Sequence, residues 1–383
     1  MRGVRVVSFR LVCSYCGREY YVNAKVWRCT CGKPLDIEFK LEEIEVDIRR
    51  IKARIPTMWR YRELLPVIHD KNIVTLGEGY TPIVTREIYG ITVDFKLDYL
   101  NPTGSFKDRG ASVLISHLIE MGVNSIIEDS SGNAGAAIAA YSSIAGIKCK
   151  VFVPADAPES KKLQIKSYGA ELVPVQGSRA DVNKAAIEAS REAYYASHMW
   201  NPFFIEGLKT ISYEYVEQMR GSVPDVVFIP VGSGGLFLGV YKGFKELREL
   251  GIIDEIPRLI AIQAQGFTPV YDNMYGKHES EIPDVILADG IAVPDPPRLD
   301  QVIKALKETG GEVIVVYNNE VIRAFKELAS LGLFVEPTSA TVLASLRRAL
   351  DLGIVGRKER AFLPLTGFGL KAIDKLLKLG KLS

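Results

Sequence analysis

The chain has 383 residues, 47% of them hydrophobic and 25% charged, with a formal net charge of +2. That length supports a large buried core, with two packed domains expected, and the balance is that of an ordinary globular protein. The near-zero charge argues against a nucleic-acid or anionic-membrane partner, and no apolar run reaches the length of a membrane span.

The chain opens MRGVRVVSFRLVCSYC, with no apolar stretch long enough for a secretory signal, so a cytoplasmic location is expected. Residues 1–40 form a short Cys-rich unit holding four of the five cysteines: Cys13, Cys16, Cys29 and Cys31. In a reducing compartment such clustering points to metal rather than disulfides. Four thiolates suit a tetrahedral structural zinc, as in a zinc ribbon. The second pair, Cys29-Thr30-Cys31, is tighter than the usual spacing, and four reduced cysteines in a packed hairpin is the other reading. Tyr15, Tyr20, Tyr21 and Trp27 are the aromatic residues available to pack so small a unit.

Residues 41–75 are charged and helix-prone, broken by Pro56 and Pro66, and read as a connector. From residue 76 onward, short apolar runs alternate with helix-length amphipathic segments. The runs are Ser125 to Ile127, Cys149 to Val153, Glu171 to Val175, Val226 to Val231, Leu259 to Gln263, Glu312 to Val316 and Ala361 to Leu365. Runs rich in Val and Ile suit strands buried on both faces of a parallel sheet, and alternation with helices predicts an α/β fold. Ligands of such sheets bind beyond the carboxyl ends of the strands, so the residues just after each run are the informative ones.

Three stretches follow strands, and one begins a helix. Residues 101–110 read NPTGSFKDRG; Pro102 and Gly104 force a turn and a helix begins near Ser105. Lys107 then lies in a first helical turn, where a cation is disfavoured unless it has a task. Residues 129–135 read DSSGNAG before an Ala-rich helix over 136–146. There Ser130, Ser131, Gly132 and Ala134 can turn backbone N–H groups toward an anion such as a substrate carboxylate. Residues 231–236 read VGSGGL before a helix of about 14 residues, and Gly232, Ser233, Gly234 and Gly235 can approach a phosphate closely. This loop lacks the full dinucleotide spacing. Residues 363–371, LPLTGFGLK, carry Thr366 just after a strand.

In that wording and order, beginning with the ten residues Asn101 to Gly110, the chain resembles the fold-type II pyridoxal-phosphate (PLP) enzymes, and among them the threonine synthases. The resemblance extends over roughly residues 76–383, and a Cys-rich N-terminal unit also occurs in some threonine synthases. It implies two parallel-sheet domains of the tryptophan synthase β-like architecture, the smaller spanning about residues 110–200 and the larger the remainder of 76–383. It implies that Lys107 holds PLP as a Schiff base and later moves the Cα proton, and that Asn133 donates to the cofactor's phenolic oxygen. Gly232 to Gly235 would cup the phosphate, with the Ser233 hydroxyl contributing, and Thr366 would stand by the pyridine nitrogen. A small amino-acid substrate and a homodimer are the family expectation. Glu336, in the VEPTSA stretch at 335–340, reads either as a site wall or as a cap for the next helix.

One stretch departs from that pattern. NPFFIEGLKT at 201–210 has Phe204 where threonine synthases usually place a phosphate-binding arginine, and the polar pair expected before it falls at His198 and Met199. Arginine gives phosphate bidentate hydrogen bonds that phenylalanine cannot replace. Lys209, Arg179 and Arg298 are the cations available instead. Three hypotheses follow: threonine synthase-like conversion of O-phosphohomoserine; a relative acting at Cβ, such as a serine or threonine ammonia-lyase or an O-phosphoserine-dependent cysteine or cysteate synthase; and a non-enzymatic sensor or partner protein. The retained Lys107, Asn133, Gly232 to Gly235 and Thr366 argue against the third.

Overall fold

The structure is a computed structural model and describes residues 9–379; the first eight residues, which open the Cys-rich unit, lie outside the described residues. The chain divides into two compact units. One runs to Tyr80 and adds Asn101–Thr103 and Lys107–Thr210; the other holds Thr81–Leu100, Gly104–Phe106 and the chain from Ile211 onward.

In the first unit, β1 (Phe9–Val12), β2 (Glu19–Tyr20) and β3 (Asp36–Phe39) form an antiparallel sheet in the order β2-β1-β3. Its interior is Leu11, Val12, Leu35 and Ile37, whereas Tyr15 and Tyr21 are exposed. Tyr15 and Tyr21 lie outside the strands, so the two-residue alternation that selects the core does not reach them. The stretch read as a helix-prone connector forms only one α-helical turn, α1 (Ile48–Lys52), and short 3-10 turns. Pro56 and Pro66 interrupt it before a longer helix can repay its nucleation cost.

The rest of this unit is a four-stranded parallel sheet, ordered β8-β7-β6-β9. Its strands are β6 (Ser125–Glu128), β7 (Lys148–Pro154), β8 (Glu171–Val175) and β9 (Tyr194–Tyr195). Its helices are α2 (Lys107–Glu120), α3 (Asn133–Ile144), α4 (Glu159–Ser167), α5 (Arg179–Ala189) and α6 (Pro202–Leu208). The strand β8 departs from expectation: it is an edge strand and largely solvent-facing rather than buried on both faces. Pro174 cannot donate to a ladder, which suits an edge.

The second unit carries a six-stranded sheet in the order β12-β11-β10-β13-β5-β4. Strands β4 (Ile83–Ile88) and β5 (Ile91–Lys96) form an antiparallel hairpin, turned at Tyr89 and Gly90 with positive φ of 55° and 77°. The others, β10 (Val226–Pro230), β11 (Arg258–Ala264), β12 (Glu312–Val316) and β13 (Arg360–Pro364), are parallel. The helices of this unit are α7 (Thr210–Gln218), α8 (Gly235–Glu249), α9 (Pro269–Tyr275), α10 (Leu299–Glu308), α11 (Asn318–Ser330), α12 (Pro337–Asp351) and α13 (Ile373–Leu379). All seven apolar runs are strands, but the hairpin was not among them. Its second strand hides behind fully buried polar residues. Asp94 is held by Arg360 at 2.6 Å and Tyr215 at 2.7 Å, and Lys96 pairs with Glu214 at 2.7 Å. Burial works to raise the Asp94 carboxyl, but hydrogen bonds from Arg360, Thr85 and Tyr215 outweigh it and hold its pKa below the ordinary value.

His117 on α2 is buried, stacks on Phe203 with ring centres 3.4 Å apart, and neither ring nitrogen has a hydrogen-bond partner. Burial pushes its pKa down to about 3. The unfolded chain takes up this proton near pH 6.5, so stability is complete above about pH 6.5 and declines by up to about 1.4 kcal/mol per pH unit as the pH falls toward the folded value. His117→Leu is expected to be at least as stable at pH 7, since it removes two unsatisfied nitrogens. It is also expected to flatten the pH dependence of urea unfolding over that acid window. A variant with the wild-type slope would place the acid sensitivity elsewhere.

Candidate active site

In the first unit, the turn before the lysine helix is tied by Asp108, which accepts the Thr103 N–H at 2.7 Å and the Thr103 hydroxyl at 2.5 Å. Lys107 is the first residue of α2 and partly buried. Asp108 and Arg109, which read equally well as helix-surface charges, are fully buried; Arg109 donates to Thr210 at 2.9 Å. Helix α6 lies directly on this segment. Gly207 meets the Arg109 carbonyl so closely that no side chain fits, and Gly110 leaves space filled by the Phe204 ring. Phe204 is buried, and the Lys107 Nζ stands 5.8 Å from its ring centre. A packing position three residues past Lys107 is glycine because an aromatic ring occupies the place of its Cβ.

Asn133 begins α3, and its N-cap residue, Gly132, makes no side-chain capping bond. The Ser130 hydroxyl accepts the Gly132 N–H at 3.2 Å. Ser131 is partly buried, and Ala134 is buried in the first turn. Gly135 was not singled out from sequence, yet it packs on the Ser130 carbonyl with no room for a side chain. The signal was available in the second glycine of GNAG.

Strands β6 and β9 are adjacent and parallel, so their carboxyl ends share one edge. Glu128 ends β6, and His198 follows β9 by three residues. The His198 Nδ1 lies 2.8 Å from Glu128 Oε1, and the His198 backbone N–H donates to Oε2 at 3.3 Å. Burial first, then the neighbouring Asp129, pushes the Glu128 carboxyl well up. Burial first, then the charge of Lys107, pushes the His198 imidazole well down. Asp129 accepts from Arg179 and Asn183, each at 2.9 Å. This acid–imidazole pair was missed because its members lie 70 positions apart in sequence. The cations considered as phosphate ligands are engaged elsewhere: Lys209 is buried against Glu206 and over the Phe39 ring, and Arg179 is paired with Asp129.

In the second unit, β10 and β13 are neighbouring parallel strands, so the loop after β10 and Thr366 after β13 lie at one sheet edge. At Gly232 a side chain would sit 2.8 Å from the Gly290 carbonyl, and Gly234 adopts a φ of 91° that disfavours L side chains. Ser233 is partly buried between them, and Gly235 starts α8, whose N-cap residue makes no side-chain hydrogen bond. The result is a narrow backbone cradle at a helix N-terminus, suited to a phosphate. Arg298 is buried beside Gly234 and donates to Gln301 at 2.8 Å.

Ser339 Oγ accepts two backbone N–H groups, from Thr366 at 3.0 Å and Gly367 at 2.8 Å. Its single hydrogen has two acceptors, the Thr366 hydroxyl at 2.9 Å and the Gly367 carbonyl at 3.3 Å; with both lone pairs taken it cannot accept from Thr366, whose O–H is left for another partner. A neutral donor there suits an unprotonated pyridine nitrogen. The Ser105 backbone bridges Gly367, and its Oγ is buried without a hydrogen-bond partner, a second polar atom at this edge. Glu336 is the N-cap of α12 but its side chain makes no capping bond; the carboxylate packs on Gly367 and walls the loop. These groups fit a phosphorylated pyridine cofactor.

The four clustered cysteines are unpaired, and their sulfurs all lie within 4.8 Å of one another. Cys13 to Cys31 and Cys16 to Cys29 are each 3.6 Å, close to the sulfur separation that a tetrahedral zinc with bonds of about 2.3 Å requires. Gly17 and Gly32 follow the two pairs with φ of 72° and 84°, turning both loops alike despite their different spacing. Trp27 leaves the ribbon to pack edge-on against Tyr195 and Trp200.

The sequence model of the pyridoxal-phosphate-dependent enzymes matches residues 74–367, and the chain belongs to that family. PLP is its cofactor. The chain is 36% identical to a threonine synthase of Methanocaldococcus jannaschii over 379 residues, covering 96% of this chain and 94% of that one. It is 34% identical to a threonine synthase of Methanosarcina acetivorans, covering 95% and 92%. Among solved structures it is similar to the processed form of threonine deaminase isoform 2 from Solanum lycopersicum, with a TM-score of 0.68, 20% identity and coverage of 88% and 90%. The last likeness establishes the fold-type II architecture.

The sulfur spacing predicts one zinc per purified chain by elemental mass spectrometry. Cys29→Ser is expected to lose that zinc and to lower the unfolding midpoint, because the ribbon has few core residues of its own. A chain that neither carries zinc nor takes it up would leave a reduced hairpin.

Proposed function

We propose that this chain removes the Cα proton of an L-amino acid and eliminates or replaces a side-chain leaving group. The reading is threonine synthase-like: O-phosphohomoserine and water to threonine and phosphate. The observation that carries the reaction class is the Thr366 hydroxyl that Ser339 leaves for another partner, a neutral donor that favours elimination and replacement over full carbanion storage. When bound, PLP supplies an electron sink for the charge developing at Cα. Lys107 holds the cofactor and serves as the proton-transfer base, since an amine at the start of α2 needs only a lowered pKa to do both. The N–H groups at the start of α3, with Ser130 and Ser131, orient the substrate carboxylate, and Asn133 donates to the cofactor ring. Gly232 to Gly235 hold the cofactor phosphate.

A second reading has its own support. Phe204 is an uncharged, buried wall beside Lys107, and the cation that acts on the Glu128–His198 pair from α5, Arg179, is bound to Asp129. This favours chemistry at Cβ, as in a serine or threonine ammonia-lyase or a cysteine- or cysteate-forming synthase. The enzyme is proposed to work in the cytoplasm as a homodimer, without nucleic-acid or membrane partners, with zinc as a structural element of the Cys ribbon. Among the described residues no helix is long and apolar enough to cross a membrane.

PLP-replete protein given O-phospho-L-homoserine is expected to form threonine with matching phosphate, and Lys107→Ala to lose at least about 10³-fold in rate. Chromatography of the amino acids, with phosphate release in parallel, checks this. An intact visible absorbance band without turnover would move the assignment to Cβ chemistry, and absence of that band would end the enzymatic reading.

A further inference from the structure

We propose that His198, held by Glu128, is the catalytic group that moves the proton on the substrate's Cβ oxygen. This rests on the proposed use of Lys107 at Cα, and it holds for the threonine synthase-like reading and for the ammonia-lyase form of the second. Water adding to Cβ and hydroxyl leaving Cβ make and break the same bond in opposite directions, so one group serves both.

Three observations converge on the pair. His198 and Glu128 lie at the carboxyl ends of adjacent parallel strands, where ligands of such sheets bind. The His198 ring meets Phe204 edge-on at 6.0 Å, and Phe204 in turn faces the Lys107 Nζ at 5.8 Å, so the imidazole borders the wall next to the reactive amine. Nδ1 is fixed on Glu128 at 2.8 Å, while Nε2 has no partner among the described residues and the side chain retains 12% exposure. A carboxyl-oriented imidazole with its far nitrogen open is arranged for acid–base work.

The protons balance. In elimination the Lys107 amine takes the Cα proton, the Cα–H electron pair forms the Cα–Cβ double bond, and the Cβ–O bond breaks. The departing oxygen takes the Nε2 proton of His198 and leaves as water, and Nδ1 takes the proton of the Glu128 carboxyl. Addition of water reverses each transfer. The groups facing the imidazole are Lys107 from α2, Glu128 and Asp129 from the end of β6, and Arg179 from α5. The raised Glu128 carboxyl agrees with a proton stored on this pair. Phe204 offers no charge to a leaving phosphate, whereas a departing hydroxide must be protonated, which matches an acid beside an uncharged wall.

The test uses the PLP-loaded full chain with L-threonine in D2O. Exchange at Cα is followed by NMR, and Cβ–O cleavage by 2-oxo acid formation and by oxygen-18 exchange with labelled water. Wild type is expected to show both steps, and Lys107→Ala neither. His198→Gln and Glu128→Gln are expected to keep Cα exchange within about threefold while Cβ–O cleavage falls about 100-fold and loses its pH dependence. Variants that cleave Cβ–O at the wild-type rate, or that lose both steps together, would overturn the proposal, the latter marking a structural role. Wild type that exchanges Cα but never cleaves Cβ–O would also overturn it. Wild type inert at Cα would instead remove the functional reading on which the proposal rests.

Discussion

The contact on which the first unit depends is backbone against backbone. Gly207 lets α6 settle on the Arg109 carbonyl, at a distance that any Cβ would forbid. Because the helices meet there, Phe204 reaches the groove at Gly110 beside Lys107, while on the same short helix Phe203 stacks on His117 and also meets Phe9 of the ribbon. Lys209, just past the helix, covers Phe39. One seven-residue helix thus connects the Cys ribbon to the lysine wall. Close packing transmits such constraints because interiors have few voids into which a side chain can retreat.

Buried polar groups divide into two kinds. Asp94 with Arg360 and Tyr215, and Lys96 with Glu214, are saturated by protein partners and tie a central strand to its neighbours. Such groups specify one arrangement, since removing one partner strands the other in a dry interior. Others are left with an open valence: the Thr366 hydroxyl, Ser105 Oγ and the far nitrogen of His198. These three lie at a strand's carboxyl edge or on a residue bridged to one, unlike the unpartnered His117 ring in the packing of α2. An unsatisfied group in the core costs stability, so its persistence at a ligand edge is readable as chemistry awaiting a partner.

Much of the second unit was legible because its strands are apolar throughout. Val226 to Pro230 and Glu312 to Val316 announce themselves as buried parallel strands, and the glycine loop follows the first of them. The hairpin at 83–96 was illegible for the opposite reason: Asp94 and Lys96 read as surface charges until Arg360 and Glu214, more than 100 residues away, are seen to neutralise them. The same holds for Asp108 and Arg109. Local wording singled out Lys107, Asn133 and Thr366 and the 335–340 stretch that holds Ser339, whereas Glu128 carries no local mark. Ser339 matters only because it consumes two N–H groups and leaves a threonine hydroxyl for another partner.

The sequence by itself determined the α/β class, the family and the cofactor, and it marked the residues proposed to hold that cofactor, because strand periodicity and glycine-rich turns act over a few residues. Only the tertiary structure decided what stands opposite those residues. The Glu128–His198 pair and the burial of Phe204 beside Lys107 each join positions from separate elements. Their protonation and polarity follow from desolvation and from neighbours brought in by folding, and those quantities have no counterpart in an extended chain.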